Sequence, residues 1–248
     1  MPAQLIMKLE SSGTLNHRMS SLFHGVLMEL IPEEYAEILH QSRLHPFSQY
    51  LKVKNKEWYW IVNTLNQEAE DIILHQTLEN LSDFYLKRNE ITVQIKEKEF
   101  QKKTLSEMMQ QFYKEDADKF VSLQFLTPTA FKQQGQYIFY PDIRCIYQSL
   151  MNKYDASVEE NVMMDADTLD QLCQDTRLVK YDLRSVRFDM EGIRVPAFLG
   201  SLTLRLTGTQ TMANFANMLF EFGTYSGIGI KTGLGMGAYE LVKEGRIK

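Results

Sequence analysis

The stretch GTYSGIGIKTGLGMGAYEL, Gly223 to Leu241, holds six of the thirteen glycines of the chain within fifteen residues. Glycine loses more conformational freedom on folding than any other residue. A cluster this dense therefore marks backbone at positive φ, or backbone lying hard against a neighbour. Two nucleotide-binding readings fail on spacing. A phosphate loop needs G-x-x-x-x-G-K-[ST], yet Lys231-Thr232 follows Ile230. A dinucleotide fingerprint begun at Gly227 and Gly229 needs glycine where Thr232 stands. Both motifs also open a helix whose first amides face the phosphate; here a helix precedes the glycines and a short strand follows. A structural turn and a backbone cradle for a polyanion, with Lys231 supplying charge, both remain open.

Outward from the glycines, Thr211–Phe222 reads as a helix capped near Thr209 or Thr211, and Met236–Val242 as a closing strand. Leu178–Asp189 and Arg194–Leu206 pair as strands around Met190-Glu191-Gly192. Asp142 caps a helix running to Tyr154, a second helix covers 166–174, YIFYPD is short, and VSLQFLTPTAFK from Val121 alternates as a strand. The first half has a similar order. Gln4–Leu9 is a strand, and Arg18–Ile31 a helix with Leu22, Val26 and Leu30 on one stripe. Pro32 opens a second helix, EEYAEILHQSR. Tyr50–Lys54 and Trp58–Thr64 are strands joined by Asn55-Lys56, followed by a helix at Gln67–Asn80 and a strand at Ile91–Gln101. Strand, helix, strand, strand, helix, strand is the split βαβ order of a ferredoxin-like fold. The expectation is an α+β protein of two tandem ferredoxin-like domains, 1–117 and 118–248, packed together without a linker.

The 248 residues are 44% hydrophobic and 24% charged, as in a soluble globular protein. No run of eighteen apolar residues predicts a membrane span, and MPAQLIMKLE lacks the features of a signal peptide. Cys145 and Cys173 are too few for a disulfide framework or a Cys-based zinc site, which points to a reducing cytoplasm. A net charge of −5 argues against a general nucleic-acid coater. The charge is uneven, however. Asp155 to Asp175 holds seven acidic and no basic residues, whereas Thr176 to Thr209 holds six basic against three acidic. A local basic ribbon can still select RNA.

Three segments carry a resemblance: FHGVLMELIPEEYAEILHQ at 23–41, TPTAFKQQGQYIFYPD at 127–142 and GTYSGIGIKTGLGMG at 223–237. The pattern G-x-G-x-x-x-G-x-G-x-G, Gly227 through Gly237, resembles the glycine-rich loop of the RAMP superfamily. The whole chain resembles the CRISPR-associated endoribonuclease that cuts precursor CRISPR RNA within its repeats, most closely the members that accompany type III-A systems. The resemblance implies cleavage without metal or other cofactor. The ribose 2′-hydroxyl attacks the adjacent phosphate, leaving a 2′,3′-cyclic phosphate and a 5′-hydroxyl. It implies precursor CRISPR RNA as partner, transient contact with a type III effector complex, no membrane, and a monomer or homodimer. The alternative is a non-catalytic RNA-binding RAMP subunit of a CRISPR effector complex.

Such chemistry needs a base, an acid and positive charge at the phosphate, and histidine suits the proton transfers. The chain has His17, His24, His40, His45 and His75. The resemblance places catalysis at the Leu-His pair ending the second helix, which is Leu39-His40. Tyr35 and Leu39, four apart, can face the core and leave His40 off that stripe. Some relatives carry a tyrosine on the first helix where Met28 stands; His24, one turn earlier, is the substitute, and Gly25 beside it could admit another element. Some relatives place a lysine shortly after the catalytic histidine; in QSRLHPF, Arg43 or His45 must fill that role, Arg43 being favoured for its permanent charge and His45 reading otherwise as a surface residue before Pro46. His17 and His75 are expected to lie outside the site. For RNA, the expected contacts are Lys231 with Gly227, Gly229, Gly233 and Gly235, then Lys132, Arg184 and Arg187. Arg194 and Arg205 are further candidates, although strand alternation sends neighbours to opposite faces. No metal site is expected; Glu159, Glu160, Asp165 and Asp167 read as a solvated acidic face. Gly229→Val is expected to weaken RNA binding more than folding.

Overall fold

The computed structural model describes residues 2–104, 107, 110, 117–157, 165–190 and 192–242. Strand β1 (Ala3–Ser11) buries Ala3, Leu5, Met7 and Leu9 on one face and leaves Gln4, Ile6 and Lys8 half-exposed on the other, the period-2 pattern its sequence predicts. A 3-10 turn at His17–Met19, capped by Asn16, leads into α1 (Ser20–Leu30), which buries Phe23 and Leu27. Helix α2 (Glu33–Gln41) follows Pro32 and buries Tyr35 and Leu39, four apart, as expected. Strands β2 (Phe47–Lys54) and β3 (Glu57–Thr64) meet at Asn55 and Lys56, both at positive φ (54° and 67°). That pair of angles matches the right-handed twist of a two-residue hairpin.

Helix α3 departs from the expected α-helix at Gln67–Asn80. It opens as one α-helical turn at Gln67–Ala69, capped by the Asn66 side chain, and continues as π-helix over Glu70–Leu78. Strand β4 (Asp83–Leu86), absent from the sequence reading, adds an edge beside β5 (Ile91–Lys102). The first sheet runs β2-β3-β1-β5-β4. Without its extra edge, that is the ferredoxin-like order.

The second sheet repeats the order as β11-β6-β10-β9. It consists of β6 (Phe120–Thr129), β9 (Thr176–Met190), β10 (Ile193–Leu206) and β11 (Tyr239–Val242). A small hairpin, β7 (Phe131–Gln133) and β8 (Gln136–Ile138), hangs from the end of β6. Helix α4 (Ile143–Asp155) starts where Asp142 accepts the Cys145 N–H at 2.8 Å, and α5 (Ala166–Gln174) where Asp165 caps Asp167 and Thr168. Asp165 is thus a helix cap, and it and Asp167 are exposed, as a solvated face requires; Glu159, Glu160 and Glu191 lie outside the described residues. Helix α6 (Gln210–Ser226) runs four residues beyond its expected end and absorbs Gly223, and the closing strand starts at Tyr239 rather than Met236. Each sheet covers its own apolar core, one built on Trp60, Phe23 and Leu27, the other on Phe125, Tyr147, Phe220 and Phe222. The fold is α+β with two tandem ferredoxin-like units. No helix among the described residues is long and apolar enough to cross a membrane.

Buried polar groups stitch the two units together. Ser48 donates its hydroxyl to the Tyr225 carbonyl and accepts from Asn63 Nδ2 at 2.9 Å. The Gln49 amide donates to the Ser20 and Gly233 carbonyls at 2.9 and 3.0 Å, while its oxygen accepts from Trp60 Nε1 at 3.0 Å. Lys52 pairs with Glu240 at 2.9 Å. If the units part, the buried Gln49 amide loses the Gly233 carbonyl and the buried Ser48 hydroxyl loses the Tyr225 carbonyl, so the junction is fixed in register.

Candidate active site

The glycine-rich segment leaves α6 at Gly227 and folds back onto β2 and α1. Its positive-φ residues are Gly227, Gly229, Lys231, Gly235 and Gly237. The close neighbour that explains them is protein. A Cβ on Gly229 would lie 2.2 Å from the Ala130 carbonyl oxygen, and one on Gly235 would lie 2.3 Å from Ser20 Cβ. One on Gly227 would press on Thr232, and one on Gly233 would meet His45 Nδ1 at 3.2 Å and the Phe47 ring at 3.3 Å. Gly227, Gly233 and Gly235 are buried, and Gly229 donates its N–H to Ser149 Oγ at 2.8 Å. The cradle is therefore narrower than the four glycines expected. Among the described residues, the N–H groups of Lys231, Thr232 and Gly233 have no protein acceptor, and the Lys231 side chain is half-buried beside them. Gly229 crowds a backbone carbonyl, so Gly229→Val would strain the fold as well as any RNA contact.

Three histidines converge where this loop meets the first unit. His24 comes from α1, His40 from the last turn of α2 and His45 from the link into β2. The rings of His24 and His45 both stack on Phe47, with centroids 6.0 and 5.6 Å away and planes within 10° and 15°. Burial pushes the His24 ring down to about 4; the charge of His45 adds to this, the Gly233 carbonyl opposes it, and His40 contributes last. His45 is also held below its ordinary value, by burial and then by His40, against the Leu39 carbonyl. Both rings are therefore neutral near pH 7. His24 Nδ1 is sealed without a partner, whereas His40 is exposed.

The expected surface turn at His45 is instead pulled inward, because Gly233, remote in sequence, packs on the imidazole; no local signal marks this. Gly25, expected to admit a neighbour, faces open space, with no atom within 4 Å of where a Cβ would stand. Met28 is part of the core. His75 lies away on α3, bonded to Glu79 at 3.0 Å and Glu70 at 3.4 Å.

His45 and Arg43 open onto a cleft of about 1100 Å³, which also takes in Lys132, Ser149, Lys153, Asp155 and the loop from Gly229 to Leu234. Lys132 is exposed and sits 5.6 Å over the Tyr137 ring. A second groove, of about 1580 Å³, runs along β9 and β10 and is lined by Arg18, Arg184, Arg187, Arg194 and Phe139, with His17 at its edge. Asp189 lies 3.7 Å from both Arg18 and Arg194. Arg205 does not line it and packs over Phe120. Of the sequence candidates, Arg43, Lys132, Lys231, Gly229 and Gly233 line the first cleft together with His45, and Arg184 and Arg187 line the second.

Comparison with known proteins gives concordant results. The family model described as CRISPR-associated endoribonuclease Cas6 matches residues 123–239. A CRISPR-associated endoribonuclease Cas6 of Streptococcus thermophilus is 35% identical over 220 residues, covering 88% of this chain and 89% of that protein. One of Mycobacterium tuberculosis is 35% identical over 242 residues, covering 95% and 77%. A Cas6 product complex superposes with a TM-score of 0.79 at 21% identity, covering 98% of this chain and all of the other; at that identity the likeness speaks for the fold.

Proposed function

The chain belongs to the Cas6 family of CRISPR-associated endoribonucleases, and from that premise we propose that it cuts precursor CRISPR RNA within its repeats by metal-independent transesterification. The 2′-hydroxyl attacks the adjacent phosphate and expels the 5′-oxygen, giving a 2′,3′-cyclic phosphate and a 5′-hydroxyl. The observation that carries this reading is the convergence of His24, His40 and His45, with His45 lining a basic cleft.

A base must take the 2′-hydroxyl proton and an acid must protonate the leaving oxygen. His40, exposed at the rim, is the principal proton carrier. His24 and His45, kept uncharged by burial, have lone pairs ready at neutral pH, and His45 is the one that lines the cleft. Arg43 offers a permanent charge to the phosphate as negative charge builds on it. Lys231, the free amides from Lys231 to Gly233, and Lys132 hold the RNA backbone in the first channel. Arg184 and Arg187 hold it along the second. The rival reading, a non-catalytic RNA-binding subunit, leaves the clustering of neutral histidines without a purpose.

The division into 1–117 and 118–248 is supported by each sheet closing within one half. Kinship with type III-A members, and transient contact with a type III effector complex, are supported by the resemblance of the histidine-bearing helices. A reducing cytoplasm is supported by two unpaired cysteines, and a monomer or homodimer is the expected state.

The decisive experiment is cleavage of a transcribed CRISPR repeat from the source genome in excess EDTA, comparing the native chain with His40→Ala. Cutting in EDTA that the substitution abolishes, with the RNA still bound, supports the reading. Cutting that survives it moves the chemistry to His24 and His45. No cutting by the native chain favours the binding subunit.

A further inference from the structure

Two charged side chains are buried among the described residues, Glu70 and Lys153. Glu70 has a cationic partner, Lys102, at 2.8 Å. Among the described residues, Lys153, 6% exposed on α4, donates only to neutral oxygens: the Gly227 carbonyl at 2.9 Å, the Ser226 carbonyl at 3.3 Å and Thr232 Oγ1 at 3.5 Å. One turn earlier on the same helix, Ser149 Oγ accepts the Gly229 N–H at 2.8 Å. Residues four apart share a helix face, so this face of α4 grips the loop on both sides of its bend. The gripped segment leads directly to Gly233, which packs on His45 and Phe47. The α4 face and the histidine cluster are therefore linked through a short run of loop.

We propose that Ser149 and Lys153 are positioning residues for RNA cleavage, fixing the loop at the height where Lys231 and the free amides receive a phosphodiester, with the Lys153 ammonium as a buried cation beneath that anion. This rests on the reading of the preceding subsection. Among the described residues no carboxylate pairs with this cation, so it keeps its charge at a desolvation penalty, which an incoming anion relieves. Burial pushes the Lys153 amine down to about 7. A phosphate in the cleft favours its charged form, so above neutral pH RNA binding takes up a proton. The other titratable or charged groups facing the cleft are Arg43, His45, Lys132, Cys145, Asp155 and Lys231. Comparison with a variant lacking only the amine isolates the share due to Lys153.

The test compares the full-length native chain, Ser149→Ala and Lys153→Met on the transcribed repeat. KM rises about threefold or more for Ser149→Ala, as for the loss of one hydrogen bond, and about tenfold for Lys153→Met, while kcat changes less. Titration calorimetry at pH 8 in two buffers of different ionisation enthalpy shows proton uptake by the native chain that Lys153→Met lacks; a merely structural lysine would not move that quantity. The proposal is overturned if both variants keep KM within about twofold of native, or if Lys153→Met takes up as many protons as the native chain. If Lys153→Met does not fold, Ser149→Ala decides alone. A native chain that does not cut the repeat refutes the reading of function instead.

Discussion

Gly229→Ala adds a single methyl group, and the structure places it 2.2 Å from the Ala130 carbonyl oxygen at φ +83°. Two costs combine. A side chain in the left-handed region costs about 1–2 kcal/mol, and over-packing against rigid neighbours costs about 1–3 kcal/mol. The obstacle is backbone between β6 and β7, and Ile230 N–H donates to that same carbonyl at 3.0 Å, so neither side can yield without breaking the junction. The expected loss is about 2–5 kcal/mol. At roughly 2–4 °C per kcal/mol for a chain of this size, the melting temperature falls by about 4–20 °C. Gly25→Ala is the control. It lies exposed inside α1 with open space around its Cβ position, so it gains helix propensity and rises by a few degrees, on the order of 0.5–1 kcal/mol. Circular-dichroism melts of the two variants and the parent make the comparison. A Gly229→Ala protein melting within a degree of the parent would refute the argument that close packing dictates this glycine.

At the histidines and in the RNA channel, three further outcomes are expected. His45→Ala lowers kcat for repeat cleavage more than His24→Ala does, because His45 lines the cleft while His24 Nδ1 is sealed; equal losses in single-turnover assays would contradict this. His24 is depressed to about 4 in the fold against an ordinary value of about 6.5. The unfolded chain therefore binds the extra proton between those values, and stability present above about pH 6.5 erodes as the pH falls towards about 4. His24→Phe flattens that slope in urea titrations, and an unchanged slope would place the acid sensitivity elsewhere. Lys231→Ala weakens repeat binding evenly across sequences and reduces the salt slope by about one unit; a sequence-dependent loss would assign Lys231 to base readout.

Much of the framework is legible in the sequence because its signals are local. Alternation in β1, the Tyr35–Leu39 spacing, the Asn55-Lys56 turn and the Asp142 cap each act within a few residues. The misses share a cause. Strand β4 is four residues long and exists by pairing with β5. The π-helical turn of α3 buries Ile73 and Leu74, and no local signal distinguishes it from an α-helix. Helix α6 continues through Gly223 because only glycine fits beneath the Tyr239 hydroxyl. At the site, His40 and Arg43 can be named from the motif. The inward turn of His45 cannot, since its packing partner lies almost at the other end of the sequence. The purpose of the glycines is legible only as two alternatives, and the structure assigns most of them to contact with protein.

Synthesis order acquires a meaning from the same loop. The first sheet is complete by Lys102, and all three converging histidines are made by residue 45. Gly233, which seats His45, and the Gly233 carbonyl that receives Gln49 come far later in the chain. A nascent or truncated chain therefore carries the three histidines but not the loop that packs against them. If those histidines carry the proton transfers proposed, cutting waits until the C-terminal strand closes the second sheet.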